Sequence, residues 1–132
     1  MTLQITAFYA GLLTLWLVFL SAAVIMRRRR LAVSLGHGGN DTLLHAVRAH
    51  GNAVETVPLA LVGMALSETL GTPGWLLHLL GIGLMVGRVA HGAHFLSERE
   101  DLTLRTLGMG LTLFVLSLLG VGLIGHGLAD MG

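Results

Sequence analysis

The chain has 132 residues, of which 54% are hydrophobic and only 11% charged, with a mean hydropathy of +0.80; soluble domains carry about one-quarter charged residues, so a soluble protein is excluded first. The absence of cysteine removes disulfides, thiolate metal sites and a cysteine nucleophile. The eight basic residues, all arginine, stand against seven acidic ones, a balance that points to no nucleic-acid partner and makes the position of each charge more informative than the sum.

The length allows one domain, residues 1–132. Its first element is an apolar run from Ile5 to Met26. At about 22 residues the run is too long for a signal-peptide core of about 7–15, and its basic cluster follows it instead of preceding it. A bilayer crossing needs about 20 apolar residues, so this segment is expected to span the membrane and remain. Arg27-Arg28-Arg29-Arg30 closes it. The loop Gly36-His37-Gly38-Gly39-Asn40 follows, and Asp41 or Thr42 is expected to cap the next helix.

The second apolar segment runs from Thr42 to Leu70, and Gly71-Thr72-Pro73-Gly74 breaks it. The third runs from Trp75 to Leu96, ending at the charged turn Ser97-Glu98-Arg99-Glu100-Asp101. The fourth runs from Leu102 to Ile124 and is rich in glycine, which lets membrane helices approach closely. The expected fold is an all-α membrane protein, a four-transmembrane-helix bundle. The first and third connectors hold arginine, whereas the second connector and the N-terminal tail hold no basic residue. The positive-inside rule then places both termini outside and the two arginine-bearing connectors in the cytoplasm, with Trp75 as an anchor at the outer interface.

The chemistry-bearing residues lie in the second and third segments. At about 100° per residue, Arg48, Asn52, Glu55 and His45 share one helix face, and His50 points away. A cation, an amide and a carboxylate one turn apart inside a membrane are expensive, and such groups face a bundle interior or a water-filled cavity. Arg88 and His91 form a second strip one turn apart, with Phe95 on the same side, and Arg105 opens the fourth helix at the same level. Three arginines with one carboxylate suit a small anion that also carries an ammonium group, a zwitterionic peptide rather than a metal. The plainer alternative for Arg48 and Glu55 is a structural ion pair between helices. The other histidines read as packing or interfacial residues, and the arginine run as a topology and headgroup anchor.

The stretch Arg48-Ala-His50-Gly-Asn52-Ala-Val-Glu55-Thr-Val-Pro58-Leu59 resembles the core motif of the MAPEG family, membrane-associated proteins of eicosanoid and glutathione metabolism. The loop Val33-Ser34-Leu35-Gly36-His37-Gly38-Gly39 is similar to that of bacterial members, and Gly87-Arg88-Val89-Ala90-His91 and Arg105 match as well. The resemblance implies a homotrimer that binds glutathione, as co-substrate, in clefts between subunits open to the cytoplasm. It implies glutathione-binding roles for Arg28, Arg48, Asn52, Glu55, Arg88 and His91, and a thiolate-stabilising, catalytic role for Arg105. Its implied activity is that of a glutathione-dependent transferase or peroxidase acting on lipophilic electrophiles or hydroperoxides. A non-catalytic protein binding lipids or other ligands on the same scaffold is the alternative. His91 and Phe95 stand where animal members often carry tyrosine. A bacterial inner membrane location, with membrane lipids and a lipophilic small molecule as further partners, completes the expectation.

Overall fold

A computed structural model describes residues 2–96 and 102–131 of the chain. Four α-helices follow one another: α1 (Gln4–Leu31), α2 (Asp41–Thr69), α3 (Gly74–Leu96) and α4 (Leu102–Met131). The expected charged turn at Ser97 to Asp101 lies outside the described residues. Large apolar side chains are exposed along every helix, among them Leu15, Val18, Leu59, Val62, Leu79, Ile82, Phe114 and Val121. In water that surface would be prohibitive; in a bilayer it is the solvated face. Three of the helices, α1, α3 and α4, are long and apolar enough to cross a membrane on composition alone. The fourth, α2, carries Asp41, Arg48, Glu55 and Glu68 within its 29 residues. It nevertheless packs against all three others, so this most polar helix is central to the bundle.

The helices overrun the expected ends. The arginine run continues α1 for more than a turn beyond Met26, to Leu31, and α4 continues past Ile124 to Met131. Cations suit a helix C-terminus, where the unsatisfied carbonyls carry partial negative charge. Ala32 then turns left-handed at φ 53°, and the N–H of Val33 reaches the Arg28 carbonyl at 3.1 Å, closing the helix. The loop that follows leads to Asn40, which is the cap of α2 in place of the expected Asp41 or Thr42. Its Oδ1 accepts from the Leu43 N–H at 3.0 Å and from the Thr42 hydroxyl at 2.7 Å. Gly38, at φ +56°, has no room for a side chain, since a Cβ there would come within 2.8 Å of Val33 Cγ2.

At the opposite end, α1 begins without a local side-chain cap. Glu68, from the last turn of α2, supplies it: the carboxylate accepts from the N–H groups of Ile5 at 3.0 Å and Thr6 at 2.8 Å. An anion at a helix N-terminus is favourable, and here it also ties α1 to α2. Nearby, the Tyr9 hydroxyl donates to the His78 carbonyl at 3.2 Å and lies 3.1 Å from His78 Nδ1. Between the ends, Tyr9, Leu13, Val57, Ala60, Met64, Leu80, Leu84, Val115 and Leu119 form the main apolar core.

Helices α3 and α4 approach closely. A Cβ at Gly108 would fall 2.6 Å from the His91 backbone nitrogen and 2.8 Å from the Gly87 carbonyl oxygen. Glycine at both positions lets the two backbones touch, as small residues do in membrane packing. That contact sets the heights of Arg88, His91 and the start of α4.

Candidate functional site

Arg88 is the largest fully buried side chain among the described residues, 1% exposed. Its Nε donates to Thr112 Oγ1 at 2.8 Å. Its Nη1 donates to Asn52 Oδ1 at 2.5 Å and to Thr56 Oγ1 at 3.2 Å. The Nη2 group reaches the Gly108 carbonyl at 3.5 Å and Met109 sulfur at 3.6 Å. The guanidinium fork has five N–H donors, and these five contacts draw on all three nitrogens. Arg88 therefore bolts α3 to α2 and α4. The threonines are held in turn, Thr56 by the Asn52 carbonyl at 2.9 Å and Thr112 by the Gly108 carbonyl at 2.9 Å. Each hydroxyl donates down its own helix and so presents lone pairs to the arginine.

Arg48 and Glu55 face the other way. Both are exposed on the surface of the single chain, although Glu55 lies at the midpoint of α2. Among the described residues no ion pair joins Glu55 to Arg48 or to Arg88, so the structural ion pair weighed as the plainer alternative is not made with either arginine within one chain. Asn52 sits between the two sets, half-buried, with its carbonyl oxygen turned inward to Arg88. The helix thus divides its polar strip into an internal part and a part that one subunit leaves uncovered.

A third group gathers around Phe95. Its ring lies 5.0 Å from the His91 ring, 4.9 Å from His94 and 5.9 Å from His45, measured between centroids. The Arg105 guanidinium stands over the Phe95 ring at 5.6 Å, a cation–π distance. His91 is buried, 5% exposed, behind this ring, while Arg105 itself is exposed in the first turns of α4. Phe95 cannot donate a hydrogen bond, but its face positions Arg105 at the start of α4. The first-helix arginine expected at the site, Arg28, is half-buried and donates to the Ser34 carbonyl at 3.1 Å, which braces the loop after α1.

The anticipated set therefore falls into three layers: Arg88 and His91 inside, Asn52 at the boundary, and Arg48, Glu55 and Arg105 outside. Sequence reasoning missed Thr56 and Thr112, which complete the coordination of Arg88. A signal existed for both. Each lies one helical turn after a residue it bonds, Asn52 and Gly108, on a segment otherwise apolar. His50, expected to point away from the strip, is bonded to Ser21 of α1 at 2.9 Å.

Compared with known proteins, residues 6–125 match the MAPEG family. The chain is 41% identical over 88 residues to the "Inner membrane protein YecN" of Escherichia coli K12, an overlap covering 67% of each chain. The protein of that name from Escherichia coli O6:H1 matches to the same extent. No solved structure matches the chain.

Proposed function

This chain belongs to the MAPEG family of integral membrane proteins, and from that premise we propose that it is a glutathione-dependent transferase or peroxidase working at the membrane. The observation that carries the reading is the outward direction of Arg48 and Glu55. Charges at mid-helix depth are unstable against lipid and need polar company. Three copies of the bundle, each covering the next one's exposed strip, would supply it and leave clefts between them. A tripeptide with two carboxylates and one ammonium group complements such a strip. Arg48 binds a carboxylate, Glu55 the ammonium group, and the Asn52 amide hydrogens a backbone carbonyl of the peptide. Arg88 and His91, being internal, act by holding Asn52 and Phe95 in place.

Arg105, standing over the Phe95 ring, is the cation assigned to the sulfur. A thiol has a pKa of about 8.5 in water, and a nearby guanidinium favours the thiolate. The thiol proton leaves to water, and the sulfur lone pair attacks. On an electrophilic carbon, the S–C bond forms as the leaving group departs with its electron pair. On a hydroperoxide, an S–O bond forms as the O–O bond breaks, the substrate oxygen takes a proton from water and leaves as an alcohol, and the thiol of a second glutathione attacks the resulting sulfenic acid, giving the disulfide and water. The apolar outer surface lets a lipid-dissolved substrate reach Arg105 from the bilayer side. The arginine-bearing ends of α1 and α4 then face the cytoplasm, where glutathione is, and both termini face outward.

Calorimetry of glutathione with the detergent-solubilised protein tests the reading. Saturable binding, lost in Arg48→Ala, is expected. Absence of binding, together with retention of lipid by the purified protein, would mark it as a non-catalytic binding protein on the same scaffold.

A further inference from the structure

At the arginine-rich end of the bundle, a cavity of about 530 Å³ opens between the C-terminal turns of α1 and α3 and the first turns of α2. It adjoins the proposed thiol site and shares the Phe95 ring with it, but none of Arg48, Asn52, Glu55, Arg88 and Arg105 lines it. Its polar wall is Arg27 and Arg30 from α1, Asp41, Thr42 and His45 from α2, and His94 from α3. Its apolar wall includes Met26 and Phe95. The volume is that of a small-molecule pocket, typically about 300–1,000 Å³, and is far too large for a lone ion.

We infer that this cavity is a binding site for the headgroup and upper acyl chain of an anionic phospholipid. Three features of the wall carry the inference. Arg27 and Arg30 are one turn apart on α1, so both guanidinium groups reach the same rim and can share one phosphate. The Arg27 Nη2 is directed across the mouth to the Leu96 carbonyl, at 3.4 Å, which fixes that guanidinium over the opening. Among the carboxylate and guanidinium groups of the wall, two arginines against Asp41 leave an excess of one positive charge, complementary to a phosphodiester. Asp41 faces them and would accept from a headgroup hydroxyl. The apolar wall beneath the cations matches the glycerol and first methylenes of a lipid rather than a fully hydrated ion. The site also stands where lipid phosphates are found, at the end of an apolar helix that closes in a run of arginines.

Arg29 provides the control. It belongs to the same basic run and is exposed, but it does not line the cavity. A diffuse headgroup attraction would treat Arg29 like its neighbours, whereas a formed site would not. Native mass spectrometry of the intact protein, titrated with phosphatidylglycerol, phosphatidylethanolamine of the same acyl chains, and inorganic phosphate, reads the difference. One phosphatidylglycerol per chain is expected to bind. Its affinity should fall roughly tenfold or more in the Arg27→Gln/Arg30→Gln double variant and stay near wild type in Arg29→Gln. Met26→Glu, which places a carboxylate at an exposed position of the rim, should weaken binding too while leaving all the arginines in place. Equal losses in Arg29→Gln and the double variant would overturn the site. Phosphatidylethanolamine binding as tightly would overturn the anionic assignment, and displacement by inorganic phosphate at equal concentration would overturn the lipid.

Discussion

Arg88 Nη1 donates to Asn52 Oδ1 at 2.5 Å, a bond that joins α3 to α2 inside the bundle. It places Asn52 of the family motif in the service of the fold, whereas Arg48 and Glu55 of the same motif are exposed.

Weakening this junction should cost stability before it costs chemistry. Hydrogen bonds to a charged group contribute roughly 1.5–3 kcal/mol each, and a buried donor left without its acceptor is costly. Thr112→Val removes the acceptor of Arg88 Nε and keeps the side-chain shape. It is expected to destabilise the detergent-solubilised protein by about that amount, read as a lowered unfolding midpoint. Asn52→Ala should do the same and also weaken glutathione binding. In a double-mutant cycle, Thr112→Val should lose most of its effect once Arg88 is replaced by Met; additive effects would show that the two side chains act independently.

Arg48 should behave in the opposite way. Its side chain is exposed in the single chain, so Arg48→Ala is expected to change stability by no more than about 0.5 kcal/mol. Glutathione affinity, measured by calorimetry, should fall by roughly tenfold or more, because a ground-state ion pair to a carboxylate is lost. Glu55→Gln is expected to weaken binding as well and to shift the assembly from trimer towards monomer in mild detergent. A monomer that still binds glutathione would refute the intersubunit cleft.

The contact of Gly87 with Gly108 predicts intolerance of even one methyl group. Gly108→Ala forces the α3 and α4 backbones apart, at an overpacking cost of about 1–3 kcal/mol. Since Arg88 donates to the Gly108 carbonyl, the same substitution should disturb the arginine junction. Gly110→Ala, where a Cβ would meet nothing within 4 Å, should leave the unfolding midpoint unchanged or raised.

Much of the architecture is legible in the sequence, because uninterrupted apolar length is dictated by bilayer thickness and Gly-Thr-Pro-Gly can only be a break. The polar strip of α2 is legible too, since a fixed 100° step puts Arg48, Asn52 and Glu55 on one side. Which part of that strip is buried is not, because it depends on where α3 crosses α2. Arg88 could have met Glu55; the contact of Gly87 with Gly108 seats it instead among Asn52, Thr56 and Thr112. The cap of α1 is equally hidden. Glu68 stands more than sixty residues from Ile5, and only the antiparallel return of α2 brings them together. The capping of α2 by Asn40 instead of Asp41 or Thr42 is a one-residue matter that local chemistry alone leaves open, since all three side chains can accept the bond.

The arginine distribution predicts the topology, which is tested without a ligand. Reporter fusions at Met1 and Gly132 should both give an external signal, with the loop after Arg30 on the cytoplasmic side. A cytoplasmic signal from either end would invert or break the arrangement, and with it the access of cytoplasmic glutathione to Arg105.

The central claim is that Arg105, resting on Phe95, holds the sulfur of bound glutathione as a thiolate. The measurement is the ultraviolet absorbance of the thiolate against pH, with glutathione bound, in the native protein and in Arg105→Ala. The account predicts a thiolate already present at neutral pH in the native protein. In the variant, the titration should move up by about one pH unit or more, with the loss in turnover exceeding the loss in affinity. An unchanged titration with native turnover in Arg105→Ala, or no thiolate at neutral pH in the native protein, would contradict it.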